Sequence, residues 1–186
     1  MDTKSLIIDN ATILFQQKGY KGVGLNEILR VCNVTKGSLY HHFPNGKEEL
    51  LIACLHFLNE VITLDIVDIF ERYPTTLEAT NSMIEKLIVN LETEGTITGY
   101  TFSCMVSEMA TLSDLVRKAC AELYAKIQGI YFKKLMEDGY SKELASNIAL
   151  MITASIEGTM MLCLVETSAK PLKVISQLLP NILKEL

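Results

Sequence analysis

The chain has 186 residues, 49% of them apolar, with a net charge of -5 and no tryptophan. That is ample material for one large or two small buried cores. Five cysteines (Cys32, Cys54, Cys104, Cys120, Cys163) include no CxxC pair and sit mostly in apolar runs, which argues against a disulfide or zinc framework and for reduced core thiols.

Helical spacing recurs along the chain and strand alternation does not. In Lys4 to Lys18 the residues Leu6, Ile7, Ala11, Leu14 and Phe15 mark one apolar face. Gly19 is suited to end that helix as a left-handed cap, and residues 20–24 form a Gly-rich link. A second helix is predicted over Leu25–Cys32, with Ile28, Leu29 and Cys32 inward and Glu27 in its first turn. Asn33-Val34 is a tight connection. Thr35 is a good N-cap for a third helix to about His42, and Pro44-Asn45-Gly46 breaks the chain. A long helix is expected from Lys47 to about Arg72. The next is capped by Thr75 or Thr76 and runs to Glu94; Gly95 to Gly99 is a hinge. Two further pieces are predicted near Phe102–Thr111 and Ser113–Asp138, the latter closed by Gly139. Ser141 caps a helix to about Thr167, and Ala169-Lys170-Pro171 opens the last. The expectation is an all-α chain of nine helices.

The N-terminus is too polar for a signal peptide, which suits a cytoplasmic protein. Leu144 to Val165 is apolar enough to raise a membrane span, but Glu157 falls inside it. A mid-membrane carboxylate is costly, so a helix buried all round, partly by a second subunit, is the better reading.

Charge is unevenly spread. Residues 1–47 carry Lys4, Lys18, Lys21, Arg30, Lys36 and Lys47 against Asp2, Asp9 and Glu27, a net of +3, which leaves -8 of the total -5 on the rest. A basic head on an acidic body favours a polyanion at one end. In that head, Leu25–Cys32, Asn33-Val34 and Thr35–His42 form a helix-turn-helix. Its second helix is barely two turns long and must be held by Leu6, Phe15, Ile28 and Leu39. Its outer side suits DNA. Lys36 brings charge, Gly37 lets backbone approach a groove, and Ser38 can donate or accept at a base edge. Tyr40, His41 and His42 present polar tips on flat rings. Lys47 opens the next helix, whose free N–H groups favour phosphate. His41 and His42 point about 100° apart on a helix, too far to chelate one metal together.

The run Gly19-Tyr20, Leu25 to Ile28 and Val34 to Leu50 resembles the DNA-binding head of the TetR family of regulators. The PNGKEEL segment, Ser103-Cys104 and Ile156-Glu157-Gly158 resemble its LmrA/YxaF-like branch. The resemblance implies a nine- or ten-helix fold: a three-helix head (1–46) and a regulatory and dimerisation body (47–186). It also implies a homodimer through the last two helices, a palindromic double-stranded operator, and release by a small, lipophilic effector. Thr35, Lys36, Gly37, Ser38, Tyr40, His41 and His42 fall on recognition-helix positions, and Lys47 on the phosphate-contacting start of helix four. Gly24-Leu25 departs from the family's frequent threonine, so a backbone amide replaces a hydroxyl there.

Phe102, Met105, Met109, Tyr124, Met151 and Met160 are candidates to line an effector pocket, although such residues at helical spacing are more often core. Glu157 needs a partner: a group across a dimer, a neighbouring backbone, or a cationic ligand, in that order. No basic residue adjoins Cys104, so no cause for a reactive thiolate is visible. The sequence holds no HExxH, no GxSxG, no phosphate-binding Gly loop and no paired carboxylates on one helix face, which leaves an enzyme without machinery. No cofactor or metal is called for. The rival reading is a helical small-molecule-binding or protein-interaction module without DNA binding.

Overall fold

A computed structural model describes residues 2–94 and 113–185, so the expected hinge at 95–99 and the expected short helix near Phe102–Thr111 lie outside the described residues. The described residues form eight helices and no strand: α1 Thr3–Gly22, α2 Leu25–Cys32, α3 Lys36–His42, α4 Lys47–Arg72, α5 Thr76–Glu94, α6 Asp114–Glu137, α7 Lys142–Glu166 and α8 Lys170–Glu185. The class is all-α.

The helix ends follow local hydrogen-bond needs. Thr35 Oγ1 accepts from the Ser38 N–H at 3.1 Å, and Ser141 Oγ from Leu144 at 3.3 Å. Thr75 and Ser113 do the same for α5 and α6. Each satisfies a donor that the first turn of a helix leaves without an internal partner. Gly139, with φ 93, ends the run after α6.

One expectation needs correction. Gly19 does have positive φ, but its φ 71, ψ 167 lies outside the left-handed helical basin. The chain kinks there and makes one more helical turn, through Gly22, where an irregular link was expected. Pro180 lies inside the last helix, which continues to Glu185. Tyr140 helps hold the stretch beyond the proline by donating its hydroxyl to the Leu183 carbonyl at 3.1 Å.

Contacts gather residues 2–61 and 113–123 into one compact unit and residues 62–94 and 124–185 into another. The core of the first is built on Phe15, fully buried, with Ile7, Ala11, Val23, Ile28, Leu39, Phe43, Leu50 and Cys54. The expected inward face of α1 is observed, except that Leu6 is only half-buried. In the second unit α8 packs on α5 and α7, around Met83, Leu87, Tyr131, Ile152, Met160 and Leu172. By length and composition α4 and α7 are apolar enough to cross a membrane; their inner faces are core.

The Gly19 geometry is open essentially to glycine alone. Gly19→Ala is therefore expected to cost about 1–3 kcal/mol, read as a fall in the thermal unfolding midpoint of several degrees.

Candidate nucleic-acid interface

The helix-turn-helix is assembled from the turn outward. Asn33 closes α2 in the left-handed region (φ 51, ψ 45), and the Val34 N–H reaches back to the Leu29 carbonyl at 3.1 Å. Asparagine tolerates that conformation better than most residues, because its short side chain can bond locally. The chain then enters α3 through the Thr35 cap. α3 has seven residues, too few to hold a helix unaided. Leu39 and the following Phe43, each 1% exposed, anchor it in the head's core.

The opposite side of α3 is open. Thr35, Lys36, Gly37, Tyr40 and His41 are exposed, and Ser38 and His42 are half-buried. The Lys36 ammonium lies 5.8 Å from the centre of the Tyr40 ring. That ring lies along the α3–α4 turn, where a Cβ on Gly46 would sit 3.6 Å from Tyr40 Cε1. With φ 71, Gly46 also supplies a backbone conformation that disfavours side chains. His41 and His42 meet edge to face, ring centres 5.0 Å apart.

Sequence reasoning missed part of this face. A cleft of about 200 Å3 is lined by Gly24, Leu25, Asn26, Leu29, Lys36, Leu39 and Tyr40. It joins the start of α2 to the outer side of α3. Gly24 caps α2 without a side-chain hydrogen bond, so amides rather than a hydroxyl stand at that helix start. The position of Asn26 in the first turn was the available signal.

Lys47 is the surprise among the expected DNA contacts. It is half-buried, its ammonium donates to the Tyr20 carbonyl, and it stands 4.0 Å from the centre of the Tyr20 ring. Burial, and then the Glu48 carboxylate, raise the Tyr20 phenol above its ordinary range. Nearby, Lys18 and Glu27 pair at 2.5 Å, joining α1 to α2, and that hydrogen bond lowers the Glu27 carboxyl.

Four of the seven expected pocket residues are described. Phe102, Met105 and Met109 lie outside the described residues. Tyr124 and Met151 are half-buried, and Met160 is buried. On α7, Met151 and Met160 face about 180° apart, whereas Glu157 and Met160 lie about 60° apart. Glu157 is close enough to Tyr131 to act on it: burial first, and then that carboxylate, raise the Tyr131 phenol. Tyr131 donates to Met83 Sδ at 3.5 Å and stacks obliquely on Phe70, centres 5.1 Å apart. Glu157 was singled out from the sequence; Tyr131, Met83 and Phe70 were not, because each reads as ordinary core.

Cys32, Cys54, Cys120 and Cys163 are all buried and free. Burial pushes Cys54 up to about 12 and Cys120 up to about 11. Both stay un-ionised at neutral pH, the opposite of a reactive thiol. Cys104 lies outside the described residues.

The unfolded chain ionises its thiols from an ordinary value near 9, whereas the folded Cys54 and Cys120 do not until higher pH. Their contribution to stability is complete below that value and is lost as pH rises through the folded values. The thermal midpoint should accordingly decline progressively from about pH 9 upward. At pH 8, iodoacetamide followed by peptide mass mapping should leave these four cysteines unmodified in the native protein and alkylate them in denaturant.

The family model for bacterial regulatory proteins of the tetR family matches residues 7–54, and the LmrA/YxaF-like C-terminal domain matches residues 76–178. The HTH-type transcriptional regulator LmrA of Bacillus subtilis is 34% identical over 98% of this chain and 97% of its own length. The biofilm operon icaADBC negative transcriptional regulator IcaR of Staphylococcus aureus is 42% identical over 65 residues, 33% of this chain and 35% of its own. Among solved structures, reduced Escherichia coli NemR superposes with a TM-score of 0.87 at 22% identity over 97% of both chains, a likeness of fold. The chain thus belongs to the TetR family of bacterial transcriptional regulators, in its LmrA/YxaF-like branch, and is a DNA-binding transcription factor rather than an enzyme.

Proposed function

We propose that this protein is a cytoplasmic homodimeric repressor that grips a palindromic operator with α3 and is released by a small, lipophilic effector. The observation that carries the reading is the two-sided character of α3. Leu39 and the adjoining Phe43 are sunk in the core, while Lys36, Ser38 and Tyr40 stand on the solvent side. A helix held so firmly from behind can enter a major groove without losing its shape. Thr35, Lys36, Gly37, Ser38, Tyr40, His41 and His42 form the reading edge, and Lys47 meets a phosphate at the start of α4. Residues 1–46 act as the head and 47–186 as the effector-binding and dimerisation body.

The dimer reading draws support from the apolar residues left exposed on the last two helices. On α7, Leu150, Leu162 and Val165 are 56%, 53% and 79% exposed. Between them Ala154 and Gly158 are also exposed, and a Cβ on Gly158 would meet nothing within 4 Å. Small residues amid large apolar ones let a second helix approach closely. On α8 the apolar residues divide. Val174 and Leu178 are exposed, Ile175 and Ile182 half-buried, and Leu179 and Leu183 buried within their own unit. Two heads so joined suit half-sites about one DNA turn apart, roughly 34–36 Å. A dimer seated there would obstruct transcription.

The effector would bind the body at residues drawn from Phe102, Met105, Met109, Tyr124, Met151, Glu157 and Met160. It can shift the head only as far as it prefers one state of the body over the other.

Mobility shifts on duplexes from upstream of the protein's own gene test the reading, with salt varied. Binding should weaken steeply with salt. Lys36→Ala should lower affinity for all sequences and reduce the salt slope by about one. Tyr40→Ala should lower affinity by roughly tenfold while the melting profile stays unchanged. Full affinity in both variants defeats the assignment. Separately, Val165→Asp on α7 should convert a dimer into a monomer by sedimentation; a monomeric wild-type protein removes the dimer from the proposal.

A further inference from the structure

Tyr20 and Lys47 form a seat that the operator-binding reading does not by itself require. They are 27 residues apart in sequence, yet the Lys47 ammonium donates to the Tyr20 carbonyl and lies 4.0 Å from the ring centre. Gly19 makes this possible. Its positive φ turns the chain at the end of α1, ahead of the final turn that carries Tyr20. Phe15 backs the ring, centres 5.8 Å apart. The Tyr20 carbonyl also accepts from the Val23 N–H at 3.4 Å, which ties it to the end of that turn. On the other side, Lys47 is the first residue of α4, one residue after the Phe43–Gly46 turn that leads out of α3.

A lysine side chain is long and samples many rotamers. An ammonium resting on a carbonyl and a π-face is fixed before any ligand arrives. Binding then loses less side-chain freedom on meeting a phosphate, which is the physical content of preorganisation.

We propose that Tyr20 is a positioning residue for DNA binding: its ring and carbonyl hold Lys47 at the first turn of α4, where the ammonium waits for a backbone phosphate. This rests on the reading of Lys47 as a phosphate contact. It adds a second layer to the interface, a residue that touches no nucleotide and acts through one that does. The aromatic face, not the hydroxyl, is the working part.

The test is a double-substitution cycle on the full-length protein, using a duplex that the wild type selects from a random-sequence pool. Lys47→Met should weaken binding and reduce the salt slope by about one. Tyr20→Leu should weaken binding by roughly three- to tenfold when Lys47 is present. In the Lys47→Met background the same substitution should change affinity by less than about twofold, well under the effect of a lost cation–π contact. Tyr20→Phe, which keeps ring and carbonyl, should rescue the leucine defect.

A purely architectural tyrosine gives a different pattern: equal losses in both backgrounds. That result, or wild-type affinity in Tyr20→Leu, overturns the proposal. If Tyr20→Leu lacks a cooperative melt, Tyr20→Met carries the cycle. Loss of folding in both variants also overturns it, since the ring would then be part of the fold's core. Failure of the wild type to select any duplex would instead sink the operator reading itself.

Discussion

A seven-residue helix cannot keep its shape in water, and α3 has seven residues. Nucleation leaves too few hydrogen bonds to offset the ordering of the backbone. The rest of the head can be understood as what holds that helix. Leu39 and Phe43 are driven into an apolar core centred on Phe15. Thr35 satisfies an orphan donor at one end. The left-handed Asn33 sets the angle of entry, and Gly46 allows a sharp exit into α4. Because the burial is one-sided, the outward residues lie outside the core and can be chosen for chemistry.

Charge reinforces this division. The excess of lysine and arginine in the first 47 residues, against an acidic remainder, directs one end of the chain toward polyanions. Yet the positive groups are not equivalent. Lys18 is paired with Glu27 at 2.5 Å, and Lys47 is seated on Tyr20. Lys36 stands over the exposed Tyr40 ring on α3 itself. Formal charge counts describe the field a duplex meets at a distance. Side-chain seating decides which cations meet phosphate at close range.

The second compact unit has a different interior. Its interior holds soft or weakly polar groups, among them Tyr131, Met83 and Phe70, with the Glu157 carboxylate close enough to raise the phenol. In both units the described thiols are buried, and burial keeps Cys54 and Cys120 hard to ionise. Soft groups of this kind fill an irregular interior well.

Most helix boundaries were legible from the chain alone, because capping is local. Thr35, Ser113 and Ser141 each answer the unpaired amides of the next turn, within three residues of themselves. The amphipathic spacing of α1 and the brevity of α3 were equally readable, and with them the presence and orientation of a helix-turn-helix. Tertiary structure decided the rest. The extra turn after Gly19, the cleft that brings Asn26 beside α3, and the seating of Lys47 on Tyr20 all depend on groups distant in sequence. So does the Tyr131–Met83 contact, 48 residues apart. Backbone hydrogen-bond needs are met by neighbours along the chain and so are written in it. Which side chains finally touch is settled only when whole helices pack, and no local pattern carries that information.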